Sequence, residues 1–120
     1  MVFIETLVEG KIPVKALIDT SSKFNTISKS LFDRLGTNHG IGPTCDLVKN
    51  LYEDAIGEIR CLDLQFQYKG TYHSLDGTDA IDFEICKNPT FDLVLGQGMS
   101  IPLIDEDFIA SSNSESISSD

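Results

Sequence analysis

The stretch Ala16-Leu17-Ile18-Asp19-Thr20-Ser21-Ser22 decides how this chain is read. Three apolar residues deliver an acidic side chain, and three hydroxyl residues follow at once. A buried strand ending at Asp19 sets its carboxylate at a turn. There Thr and Ser hydroxyls and turn amides can hold it in one orientation. Two readings are open from this stretch alone. Asp19 is the acceptor of an Asx turn in a surface loop, or it is half of a catalytic carboxylate pair.

Working outward, residues 2–10 and 11–19 read as two strands joined at Glu9-Gly10, a hairpin signal. Downstream, Ser28 is placed to cap a short helix with Leu31, Phe32 and Leu35 on one face and Gly36 ending it. Residues 37–44 form a loop rich in glycine. After DLVKNL comes residues 55–68, AIGEIRCLDLQFQY, where Ile59, Leu62, Leu64, Phe66 and Tyr68 give a mostly period-two pattern. Lys69-Gly70 is a turn, and residues 80–86 alternate through Ile81, Phe83 and Ile85. Residues 91–96, FDLVLG, are a short buried strand closed by Gly96. The reading is mainly β with one or two short helices.

The 120 residues make one domain, read as residues 1–109, followed by a polar tail at 110–120 that is too poor in apolar residues to fold. A hydrophobic fraction of 41% and a mean hydropathy near zero fit an ordinary globule. No apolar run approaches the ~20 residues of a membrane span, so no membrane partner is expected. The N-terminal residues lack the basic start and cleavage site of a signal peptide. Nineteen acidic against nine basic residues give a net charge of −10. That field repels phosphate backbones, which argues against a nucleic-acid partner.

Cys45, Cys61 and Cys86 are odd in number and widely spaced, giving neither a disulfide framework nor a metal pair. Cys61 and Cys86 sit in strand-like runs and read as small buried hydrophobes. The proline in Asn88-Pro89-Thr90 excludes a glycosylation sequon. A reducing, cytoplasmic location follows as the expectation. His39 and His73 stand apart without ligand spacing, and Asp76, Asp79 and Asp82 lack the closing glutamate of a calcium loop. With no phosphate-binding or dinucleotide fingerprint either, neither a cofactor nor a metal is expected.

Three blocks together give the chain a family likeness. Residues 16–22 are followed by Ile27-Ser28-Lys29-Ser30-Leu31 through Leu35-Gly36, and then by Phe91-Asp92-Leu93-Val94-Leu95-Gly96. In order and spacing this resembles the retropepsin-like aspartic proteases of the retroviral and retrotransposon gag-associated type, across residues 3–104. The resemblance implies a closed, mainly-β barrel in which the Asp19 loop crosses the Leu93, Val94, Leu95 and Gly96 strand in a psi shape. It implies an endopeptidase with Asp19 catalytic and Thr20, Ser21 and Ser22 supporting the loop, Thr20 reaching across a dimer interface. It also implies a substrate-covering flap, a hairpin around residues 49–58 formed by Leu51, Tyr52, Glu53, Asp54 and Ala55 near its tip. The chain carries one such Asp, so the resemblance requires a homodimer acting on a polypeptide substrate.

Three positions depart from that pattern. Ser21 stands where the family has Gly, Gln97-Gly98 follows the closing Gly, and the flap tip has acids where a glycine is expected. Such acids predict a preference for basic or apolar peptides and an optimum below neutral pH. The same departures also fit an inactive relative that dimerises or holds peptides and proteins without cutting them. A structural β-domain without a working cleft is the third reading.

Overall fold

The structure, a computed structural model, describes residues 1–36, 40–73 and 80–99. Strands β1 (Val2–Val8) and β2 (Ile12–Ile18) form the antiparallel hairpin, with Val2 opposite Ile18 and Val8 opposite Ile12. Glu9 and Gly10 have φ of 54° and 64°, the left-handed pair that suits the twist of a tight hairpin. Lys11 N–H closes the turn on the Val8 carbonyl at 3.0 Å. Ile4, Thr6 and Val8 face inward with Val14 and Ala16. Thr6, the polar member, donates its hydroxyl to the Val14 carbonyl at 2.7 Å, so its burial leaves no donor unmet.

A short strand, β3 (Thr26–Ser28), precedes helix α1 (Lys29–Arg34). All three β3 residues are buried, so no alternation marks the strand in the sequence. Ser28 caps α1 as its position predicts: its hydroxyl accepts the Leu31 N–H at 2.9 Å. The same hydroxyl donates to Asp92 Oδ1 at 2.8 Å, tying the helix start to a residue 64 positions away. Leu31, Phe32 and Leu35 are buried, and Gly36 ends the helix at φ 93°.

The long strand β4 (Ala55–Tyr68) explains its own imperfect periodicity. Its register against β6 (Ala80–Cys86) shifts between Ile59 and Leu62, and Cys61 sits in that bulge at φ 59°. The inward set therefore changes from Ile59 to Leu62, Leu64 and Phe66. Cys61 corrects the expectation of a buried hydrophobe: it is exposed, its N–H bonded to Asp82 Oδ1 at 3.0 Å. Cys86 is buried. Lys69 and Gly70 turn the chain into β5 (Thr71–His73) with φ of 52° and 85°.

The final strand, β7 (Leu93–Leu95), lies inside the sheet, parallel to β2 and antiparallel to β3. The seven strands run β1-β2-β7-β3-β6-β4-β5, and a further β1–β4 pairing joins the sheet back on itself. The core fills that closure with Ile4, Val8, Ile27, Ile59, Phe66, Phe83, Ile85, Leu93 and Leu95 among others. Phe3 and Phe91 meet edge-to-face outside it, ring centroids 5.6 Å apart.

The expected hairpin at residues 49–58 is corrected. Helix α2 (Asp46–Leu51) occupies its rising arm, and residues 52–54 turn directly into β4. DLVKNL has no period-two alternation; Asp46 in the first turn and Lys49 in the last suit a helix dipole, and Val48 anchors the helix inward. The base of the covering loop is a single bridge, Gly42 to Glu58, held by two backbone bonds of 2.9 and 3.1 Å. Gly57 permits it, since a Cβ there would strike the Ile41 side chain and lie 3.0 Å from the Gly42 carbonyl.

His39, Asp76, Asp79, residues 101–109 and the 110–120 tail lie outside the described residues. No helix among the described residues is long and apolar enough to cross a membrane.

Candidate active site

The Asp19 loop is built by strand β7. Leu17 and Ile18 pair with Val94 and Leu95, and Asp19 N–H donates to the Leu95 carbonyl at 3.0 Å. The chain then passes over the end of β7. Gln97 N–H donates to the Ser22 carbonyl at 2.8 Å, and Gly96 N–H donates to Asn25 Oδ1 at 2.8 Å. A Cβ on Gly96 would lie 2.7 Å from the Phe24 carbonyl oxygen and 2.9 Å from that of Ser22. Only glycine lets the two segments cross this closely. Asn25, which also donates to the Asp82 carbonyl at 3.2 Å, carries no local signal in the sequence because its partners are 57 and 71 positions away.

Asp19 is half-buried at the mouth of this crossing. Its Oδ1 accepts the Ser21 N–H at 3.0 Å and the Ser21 hydroxyl at 2.6 Å. Ser21 therefore does more than replace a glycine: it adds a second donor to the carboxylate. It does so without left-handed backbone, since the non-glycine residues with positive φ are Glu9, Cys61 and Lys69. Oδ2 accepts no hydrogen bond within the described residues. Thr20 is exposed at the loop tip. The Ser22 hydroxyl donates to the Phe24 carbonyl at 2.9 Å and lies 3.5 Å from the Tyr52 hydroxyl, linking the loop to its cover.

Two hollows open on Asp19. One, of about 370 Å³, has Asp19, Ser22, Tyr52 and Asp54 along its polar side and Leu17, Val94 and Phe91 along its apolar side. The other, of about 380 Å³, runs from Asp19, Ser21 and Ser22 beneath Leu47, Leu51 and Tyr52. Of the residues assigned to the cover, Leu51, Tyr52 and Asp54 thus reach Asp19's surroundings. Glu53 points to solvent, and Ala55 pairs with Cys86 in the sheet. Asp54 is already engaged: its Oδ2 accepts Asn88 N–H at 2.8 Å and its carbonyl accepts Lys87 N–H at 3.0 Å. Its carboxylate ties the turn to the end of β6. Leu47, on α2, is a lining residue that a hairpin reading misses.

A second acidic pair lies away from Asp19. Glu58 and Glu84 stand opposite each other across β4 and β6. Glu84 is 5% exposed, and its Oε2 has no hydrogen-bond partner. Burial first, and the Glu58 carboxyl beside it second, push the Glu84 carboxyl up to about 7. Burial likewise raises the Cys86 thiol to about 11, so it stays protonated and inert. The alternation of AIDFEIC predicts inward Phe83 and Ile85, and gives no hint that Glu84 between them is also enclosed.

Comparison with solved structures places this geometry in a known fold. The retroviral protease-like domain of Ddi1 from Leishmania major superposes with a TM-score of 0.56 at 17% identity, over 88% of this chain and 74% of that one. The EIAV protease complexed with the inhibitor HBY-793 superposes with a TM-score of 0.51 at 14% identity, over 87% of this chain and 86% of that one. The fold is retropepsin-like. No protein-family model and no curated protein sequence matches the chain.

Proposed function

We propose that the chain is an aspartic endopeptidase that works as a homodimer, with water activated between two Asp19 carboxylates. The observation that carries this reading is the placement of Asp19. It ends a core strand, its Oδ1 is fixed by Ser21, its Oδ2 is open, and two hollows with apolar walls meet at it. Kinship of fold with a retroviral protease and a protease-like domain supports it.

The chain supplies one such carboxylate, so the second comes from another copy across a two-fold axis. Two carboxylates in contact share one proton, and their titration belongs to the pair. The unprotonated member takes a proton from water as its oxygen attacks the peptide carbonyl carbon. The protonated member gives its proton to the carbonyl oxygen. Collapse of the gem-diol intermediate then breaks the C–N bond: the Asp19 that took water's proton gives it to the leaving nitrogen, and the other Asp19 takes back a proton from a gem-diol hydroxyl.

One observation favours a second reading. The Ser21 hydroxyl, 2.6 Å from Oδ1, adds a hydrogen bond that a glycine cannot make. An Asp19 pair held this firmly would leave a module that binds polypeptides without cutting them. The deciding experiment incubates the chain with an unfolded protein from pH 3.5 to 7.5, beside Asp19→Asn and Ser21→Gly, and measures mass in solution. Cleavage by a dimer that disappears in Asp19→Asn supports the endopeptidase. Cleavage by Ser21→Gly alone supports the silenced module, and inert variants from a monomer overturn the endopeptidase, leave Asp19 holding a turn and move the test to binding partners.

A further inference from the structure

A third hollow, of about 220 Å³, lies beside the cover and is not used in the chemistry above. Glu84, Glu58 and Asp82 line it together with Phe24 and Phe83, and Lys23 sits on its rim. Two of its carboxylates have partners: Glu58 Oε1 accepts Arg60 Nε–H at 2.7 Å, and Asp82 Oδ1 accepts the Cys61 N–H at 3.0 Å. Glu84 differs. Its side chain is 95% enclosed, and Oε2 is a buried acceptor with nothing bonded to it. A buried, unpaired carboxyl oxygen is costly to keep, which makes its retention in a hollow informative.

We infer that this hollow takes the guanidinium of an arginine side chain carried by a polypeptide lying across Asp19. The inference rests on the proposed reading of the cleft as a polypeptide site, but it concerns binding and does not require cleavage. Three features select the ligand. Among the described residues no three His, Cys, Asp or Glu side chains converge as a metal set. Carboxyl oxygens in a hollow that Phe24 also lines match a planar, delocalised cation with several N–H donors better than a compact ammonium. Lys23, whose ammonium forms no ion pair with the three acids, lines both this hollow and the one beneath α2, so the two adjoin along the chain that follows Asp19.

The charges around Glu84 set the pH dependence. Glu58 faces it from β4, Asp82 shares its strand, Lys23 and Cys45 line the rim, and Arg60 is held by Glu58. The Glu84 carboxyl holds its proton up to about pH 7, so an entering cation displaces that proton. Arginine binding therefore strengthens as pH rises from 6 to 8.

The test titrates the isotope-labelled full chain with acetyl-arginine methylamide, and with its citrulline and lysine counterparts, following backbone amides by NMR. The shifts report binding at equilibrium, and the probes are checked to be intact after the titration, so the outcome is separate from whether Asp19 cuts. Expected are saturable shifts at Asn25 and Glu84 with the arginine probe, at least about tenfold weaker binding of the citrulline and lysine probes, and tighter binding at pH 8 than at pH 6. Glu84→Gln should erase the arginine preference. Equal binding of citrulline or lysine, no shifts at the solubility limit, or a preference that survives in folded Glu84→Gln overturns the inference.

Discussion

At the scale of single residues, chemistry and scaffold depend on different atoms of one small region. Asp19→Asn keeps the turn's shape but removes the acid/base group. Cleavage of an unfolded protein should fall at least about a hundredfold, with the melting temperature little changed. Ser21→Gly deletes the hydroxyl bonded to Oδ1 and should raise the cleavage rate by about tenfold, read in the same assay. Gly96→Ala acts on the scaffold. Its new Cβ would meet backbone carbonyls that cannot rotate away, so chemical denaturation should show a loss of about 1–3 kcal/mol or more. Glu84 governs stability against pH. The folded chain keeps a proton on Glu84 up to about pH 7, whereas the unfolded chain releases it near 4.5. Unfolding free energy should therefore fall as pH rises between those values, by at most about 1.4 kcal/mol per unit. Denaturation at pH 4.5 and 7 checks this, and Glu84→Gln should flatten that part of the profile.

At the scale of elements, the cover over Asp19 is a loop containing a helix, and it is lightly attached. α2 is six residues long and buries Val48, while Leu47 and Leu51 are 51% and 57% exposed. A helix this short is marginal by itself and depends on its one apolar anchor. Val48→Ala should loosen the cover with a stability loss of about 1–2 kcal/mol. Hydrogen exchange should speed up in residues 46–54 and stay unchanged in β1 and β2. Equal acceleration throughout would show that the cover and barrel open as one unit. α1 contrasts with α2, because Ser28 joins its cap to Asp92 and Leu31 and Phe32 are buried.

At the scale of the whole molecule, the fold supplies half of what the proposed chemistry needs. Each copy carries a charge of −10, so two copies approach against mutual repulsion. Association should strengthen with salt, and sedimentation at about 0.05 and 1 M sodium chloride should show a larger dimer fraction at the higher concentration. Weakening with salt would instead point to an interface held by ion pairs. The peptidase rate should track the dimer fraction.

Much of this architecture was legible along the chain because its signals are local. The Glu9-Gly10 and Lys69-Gly70 turns, the Ser28 cap and the alternation in β6 depend on residues within a few positions of one another. The blocks around Asp19 and Gly96 could be recognised as motifs, and so could the crossing they form. Other features were set only by tertiary contact. The Cys61 bulge reverses which residues of β4 face inward, and α2 replaces a hairpin arm because Val48 finds the core. Asn25 acquires partners from two distant strands, and Glu84 is enclosed opposite Glu58. The sequence by itself determined the strand pattern and the position of the acid, because turn chemistry and side-chain period act over short range. Only the tertiary structure decided which polar groups are buried, paired or left waiting, because burial is a property of the neighbours that folding brings together.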